Sequence, residues 1–69
     1  MSFSEHRLRE AREAAGKTRE QLAVEVGRSF SMLVQYESGA KQPSLDALTR
    51  IADALDRPVG YFFDDGATP

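Results

Sequence analysis

The sequence predicts an all-α fold, a compact bundle of four helices plus a short fifth. Three observations lead there. Apolar residues recur at three- and four-residue intervals along most of the chain, the spacing that lines one face of a helix. No run alternates with period two, so strands are not expected. Ser, Thr, Gly and Pro punctuate the chain where helices start and stop.

The first helix has two candidate starts. Ser2 with Glu5 forms a capping box, and Ser4 offers a start one turn later with Glu5 near the positive end. The helix runs to about Ala15 and stops at Gly16, with Leu8, Ala11 and Ala15 on its apolar face. Thr18 with Gln21 is a second capping box, opening a helix that ends at Val26. Ser29 caps the third helix, which ends near Ser38-Gly39. A loop from Gly39 to Pro43 follows. Ser44 caps the fourth helix, whose stripe is Leu45, Leu48, Ile51, Ala52 and Leu55. Pro58 favours the first turn of a short fifth helix, with Val59, Phe62 and Phe63 as its apolar face. This gives one domain over residues 1–63. Residues 64–69 are expected to be a flexible acidic tail.

The stretch Thr18 to Glu37 is the most informative. Leu22, Val26, Leu33 and Tyr36 fall where two crossed helices would touch. Ala23 is small where the third helix must approach closely. Gly27 sits where the chain must turn, and only a residue without Cβ takes a positive φ at no steric cost. This is the helix-turn-helix pattern, whose second helix is built to enter a DNA major groove.

On these residues the chain resembles the phage-repressor and Cro-like helix-turn-helix regulators, the XRE-type family. The matching residues are Arg12, Thr18-Arg19-Glu20-Gln21-Leu22-Ala23, Val26-Gly27, Leu33 and Tyr36-Glu37-Ser38-Gly39. Pro43-Ser44-Leu45, Leu48, Ile51-Ala52 and Ala54-Leu55 complete the match, which covers roughly residues 4–63. The resemblance implies a lambda-repressor-like helix-turn-helix domain and sequence-specific binding of double-stranded DNA. It implies a transcriptional regulator, a repressor acting by operator occupancy.

The resemblance also assigns residues. The positions of Phe30, Ser31 and Gln35 commonly touch base edges in the family, with Val34 on their flank. Gln35 has the amide to pair with adenine, Ser31 donates or accepts, and Phe30 can pack on a thymine methyl. The structural alternative for Phe30 is a staple against the second helix. Arg19 stands where relatives hold a DNA phosphate at a helix N-terminus, and Ser29, the cap of the third helix, is a further expected phosphate contact. Lys41 and Gln42 lie in a loop that runs beside the duplex backbone in relatives. Lys17 and Arg28 replace apolar family residues and are further phosphate candidates. For Arg28, a stem covering the core with a solvated head is the alternative. Arg12 and Glu37 match a buried ion pair. Tyr61 and Phe63 are the expected contact of a homodimer that would form on a palindromic operator.

Charge and composition set bounds. A 69-residue chain holds one small core, and it has no cysteine for a disulfide or thiolate chemistry. The net charge is −2, low for a DNA-binder. Its distribution is uneven: residues 1–16 sum to zero, residues 17–44 to +1 and residues 45–69 to −3. The lone His6 is a poor metal site, and Asp64-Asp65 are adjacent tail carboxylates. No phosphate loop, catalytic triad or metal cluster is present, so no enzyme, cofactor or metal is expected. No apolar run approaches the ~20 residues that span a bilayer. The N-terminus lacks a signal peptide's basic and apolar blocks, so a cytoplasmic location is expected. A rival reading comes from Phe30, Met32 and Val34, which make the third helix unusually apolar. It is a protein–protein interaction module or antitoxin-like subunit using the same bundle.

Overall fold

The computed structural model describes residues 2–64. Its helices are α1 (Glu5–Ala14), α2 (Arg19–Val26), α3 (Phe30–Ser38) and α4 (Leu45–Ala54), followed by a short 3-10 helix (Val59–Phe62). Each of the four starts on a hydroxyl cap. The Ser4 side chain accepts from the Arg7 N–H, which settles the cap of α1 two residues after Ser2. Thr18 Oγ1 accepts from the Gln21 N–H at 3.0 Å, and Gln21 Oε1 accepts from the Thr18 N–H at 2.8 Å. Ser29 and Ser44 accept from Met32 and Ala47. These bonds satisfy N–H groups that a helix start otherwise leaves orphaned, and each such cap is worth about 1 kcal/mol.

α2 ends at Gly27 in the left-handed region (φ 69°), and α3 ends the same way at Gly39 (φ 83°). After α4 that conformation falls to Asp56 (φ 56°), one of the few non-glycine residues whose short polar side chain tolerates it.

The core is one cluster, with Leu8, Leu22, Val26, Leu33, Ile51 and Phe62 fully buried at its centre. It includes Phe3, which the helical pattern did not assign to it. Three sequence expectations are corrected here. Leu45 is 74% exposed. It is the first residue of α4, at the end of the stripe, and Ala47 is buried instead. Ala15, a capping residue past the last turn of α1, is exposed rather than apolar lining.

The third correction is a strand pair. Ser2–Phe3 (β1) and Phe63–Asp64 (β2) form a two-residue antiparallel ladder, with Ser2 opposite Asp64 and Phe3 opposite Phe63. Strands this short leave no periodicity to read. Asp64 therefore has a paired backbone, whereas the rest of the expected tail, residues 65–69, lies outside the described residues.

Arg7 reinforces this closure. Its Nη1 donates to the carbonyls of Tyr61 at 3.1 Å and Phe63 at 3.2 Å. The Tyr61 ring is flanked by two guanidinium carbons, Arg7 at 5.7 Å and Arg57 at 4.9 Å, a cation–π arrangement.

Candidate nucleic-acid interface

The contact between α2 and α3 is built from residues without rivals for the space. Leu22, Val26, Leu33 and Tyr36 are buried between the two helices and the rest of the core, and Ala23 is 3% exposed. Gly27 turns the chain in three residues, so α3 begins at Phe30 with its outer side set by the inward Leu33 and Tyr36.

That outer side carries Phe30, Ser31, Val34 and Gln35. Phe30 is 47% exposed. Ser31 is exposed, and Val34 and Gln35 are half-buried. Gln35 Nε2 donates to the Ser31 carbonyl and to Ser31 Oγ, both at 3.3 Å. These bonds are at the long end of the hydrogen-bond range, so a base edge can replace them at little cost. Met32 turns inward and packs against the core. The apolar surface of α3 is thus smaller than the sequence suggested, with Phe30 its one exposed large apolar side chain.

The cations divide into two groups. Arg19 is the first residue of α2, its side chain 43% exposed, with Nε 3.6 Å from Glu37 Oε1. Lys41 and Gln42 are exposed in the loop after α3, and the Lys41 N–H donates to the Gln35 carbonyl at 3.2 Å. That bond fixes the loop beside the end of α3. Ser29, exposed at the N-terminus of α3, is occupied as its cap.

Lys17 and Arg28 stand elsewhere. The Lys17 ammonium is paired with Glu25 and donates to the Ala54 carbonyl at 2.9 Å, at the C-terminal end of α4. A cation there complements the negative end of the helix dipole. Arg28 pairs with Asp46 at 3.1 Å, and Arg50 reaches the same carboxylate at 3.2 Å. Both side chains link elements of the bundle through partly exposed ion pairs. The Arg28 hydrogen bond, then the Arg50 charge, hold the Asp46 carboxyl below its ordinary value. A depressed carboxyl contributes stability above its unfolded pKa, and the contribution is lost as pH falls through the folded value. An NMR titration should therefore find the Asp46 midpoint below about 3.9, the value of a free aspartate, and Arg28→Ala should move it upward.

Arg12 and Glu37 meet inside the bundle, each 8% exposed. Arg12 Nε donates to Glu37 Oε2 at 2.6 Å and Nη2 to Oε1 at 3.2 Å, while Nη1 donates to the Lys17 carbonyl at 2.8 Å. The hydrogen bond to Glu37 raises the Arg12 pKa against the opposing effect of burial. Tyr61 and Phe63, the expected dimer contacts, are half-buried against the core. Among the described residues, the exposed large apolar side chains are instead Val24, Phe30 and Leu45, on three separate helices.

Among the described residues, no helix is long and apolar enough to cross a membrane. Two hydroxyl-capped helices, α2 and α3, joined by a left-handed glycine turn define a helix-turn-helix unit. The comparisons agree. Residues 8–62 match the helix-turn-helix family model, and the chain belongs to the XRE-type helix-turn-helix family of transcriptional regulators. It is 44% identical over 50 residues to the cryptic phage CTXphi transcriptional repressor RstR of Vibrio cholerae, covering 72% of this chain and 45% of that protein. It is 41% identical over 59 residues to an uncharacterized transcriptional regulator of Rhodospirillum rubrum, covering 86% and 55%. The chain thus spans about half the length of the curated relatives it matches.

Two solved structures share the fold. The restriction-modification controller protein C.AhdI of Aeromonas hydrophila superimposes with a TM-score of 0.81 at 36% identity, over 86% of this chain and 89% of that one. The N-terminal DNA-binding domain of SinR from Bacillus subtilis gives 0.82 at 25% identity, over 93% and 94%.

Proposed function

We propose that this chain is a sequence-specific double-stranded DNA-binding regulator, acting in the cytoplasm as a repressor by occupying its operator. The observation that carries the reading is the outer side of α3. It offers Gln35, Ser31 and Phe30 together, with Arg19 beside Glu37 in the last turn of α3 and the Lys41–Gln42 loop pinned to the Gln35 carbonyl. The first set has base-reading chemistry and the second set has phosphate-holding chemistry. This is a binding module rather than an enzyme. The relatives named as regulators and the controller and SinR neighbours support the same reading.

Mutations should separate the two sets. Gln35→Ala should cost about 1–3 kcal/mol at one base pair and relax the preference there. Arg19→Ala should weaken all sequences alike and lower the salt slope by about one. Binding measured across salt on operator and random duplexes checks both. Undiminished affinity in both variants would remove α3 from the groove.

A single unit of this size buries only roughly 600–1,000 Å² on DNA. A homodimer on a palindromic operator therefore suits it, with recognition helices about 34 Å apart. Tyr61 and Phe63 are the proposed contact, since both keep part of their rings accessible beside the closed chain ends. Sedimentation of the DNA complex should give two protein copies per operator, and Tyr61→Ala should weaken operator binding. One copy at saturation, with no effect of Tyr61→Ala or Phe63→Ala, would overturn the dimer.

The exposed Phe30 and the net charge of −2 favour one alternative, a partner-binding module. It predicts no measurable binding to random duplex at low salt, where the DNA reading predicts binding that falls steeply as salt rises.

A further inference from the structure

We infer that Glu37, besides closing the core ion pair, is the positioning residue for the phosphate contact of Arg19. The inference rests on the DNA reading above and adds how that contact is prepared. One buried carboxylate serves two guanidinium groups. Its Oε2 accepts from Arg12 Nε at 2.6 Å, and its Oε1 accepts from Arg12 Nη2 at 3.2 Å. The same Oε1 lies 3.6 Å from Arg19 Nε. Arg12 is used up inside the protein, because its remaining Nη1 donates to the Lys17 carbonyl. Arg19 is not. Its side chain is 43% exposed against 5% for Glu37, and among the described residues its terminal nitrogens donate to no protein atom.

A guanidinium carries five N–H donors in a rigid fork, so two of its edges can be used at once. Glu37 faces the Nε edge of Arg19 and leaves the terminal edge toward solvent at the start of α2. At 3.6 Å the pair is an ion pair beyond direct hydrogen-bond length. It is firm enough to restrict the side chain and loose enough to let a phosphate oxygen draw on it. A lysine carries its three donors on one atom and lacks the fixed separation of two edges that the fork provides.

The sign of one substitution separates this role from simple charge. If Glu37 were merely a carboxylate near DNA, Glu37→Gln would remove a repulsion and raise affinity. If it positions Arg19, Glu37→Gln frees the side chain, which must then be immobilised on binding, and affinity falls.

The test is a double-mutant cycle on a random-sequence duplex, at a temperature where circular dichroism shows every variant folded. Glu37→Gln should weaken binding roughly two- to ten-fold, the effect of ordering one long side chain, and should cause no loss in an Arg19→Ala background. Higher affinity, or an equal loss in both backgrounds, overturns the inference. Should Glu37→Gln fail to fold, two other measurements carry the test. Arg19→Lys keeps the charge and should lose a similar factor. The Arg19 Nε–H of the free wild-type protein should give a resolved NMR signal whose relaxation reports restricted side-chain motion. A signal like that of free arginine, or full affinity in Arg19→Lys, overturns the inference. No wild-type binding at low salt fails the DNA reading and takes this inference with it. Wild-type binding without Glu37–Arg19 coupling fails the inference alone.

Discussion

Glu37→Ala is expected to leave much of the protein unfolded at room temperature, and Arg12→Ala to do less damage. Breaking a buried ion pair from one side costs about 3–5 kcal/mol, because the remaining charge stays out of water without its partner. A core of this size supplies roughly the same amount in total, so the substitution consumes most of the stability. The asymmetry follows from what each loss leaves behind. Without Glu37, the Arg12 guanidinium, 9% exposed, retains the Lys17 carbonyl and a distant Glu13 carboxylate at 4.0 Å that is mostly solvated. Without Arg12, Glu37 still has Arg19 at 3.6 Å. That half-exposed side chain can close the remaining distance. Thermal unfolding of both single variants and the double variant checks this. The double change should cost less than the sum of the singles. Strict additivity would mean the two side chains do not interact.

Phe62→Ala is expected to cost about 3–5 kcal/mol, the usual loss for a buried aromatic truncated to alanine. Phe62 is fully buried on a four-residue helix that packs on α1 and α4. Its carbonyl accepts from the Ser4 N–H at 2.7 Å, and the adjacent Phe63 pairs with Phe3. Removing the ring therefore opens a cavity and loosens the tie between the chain ends. Phe62→Leu should recover part of the loss. In urea the midpoint should fall with little change in slope, as expected for a change in stability alone. A cost below about 1 kcal/mol would mean that the site collapses around the smaller side chain.

Much of the site was legible because it is local. The caps at Thr18, Ser29 and Ser44 act within three residues, and the glycines at 16, 27 and 39 answer to backbone sterics at a single position. The outward set Phe30, Ser31 and Gln35 follows once Leu33 and Tyr36 are known to face inward. The pairing of Arg12 with Glu37 spans 25 residues and was reached through the family resemblance, not from periodicity. The partners that the fold gives Lys17 and Arg28, namely Glu25, Ala54 and Asp46, come from other elements and were not legible. A free cation and a committed one look alike in sequence.

The amino-acid sequence by itself determined the four helices, their caps, the glycine turn and the inner face of α3. These depend on dihedral preferences and spacings within a turn or two, which every residue carries with it. Tertiary structure alone decided which end residues pair, which cations remain available and how Glu37 is shared. The Phe3–Phe63 ladder joins opposite ends of the chain. The Lys17 clamp reaches 37 residues away. The approach of Arg19 to Glu37 exists only after α1, α2 and α3 have packed around one carboxylate. Such contacts depend on where folded elements meet, and no local preference encodes that distance.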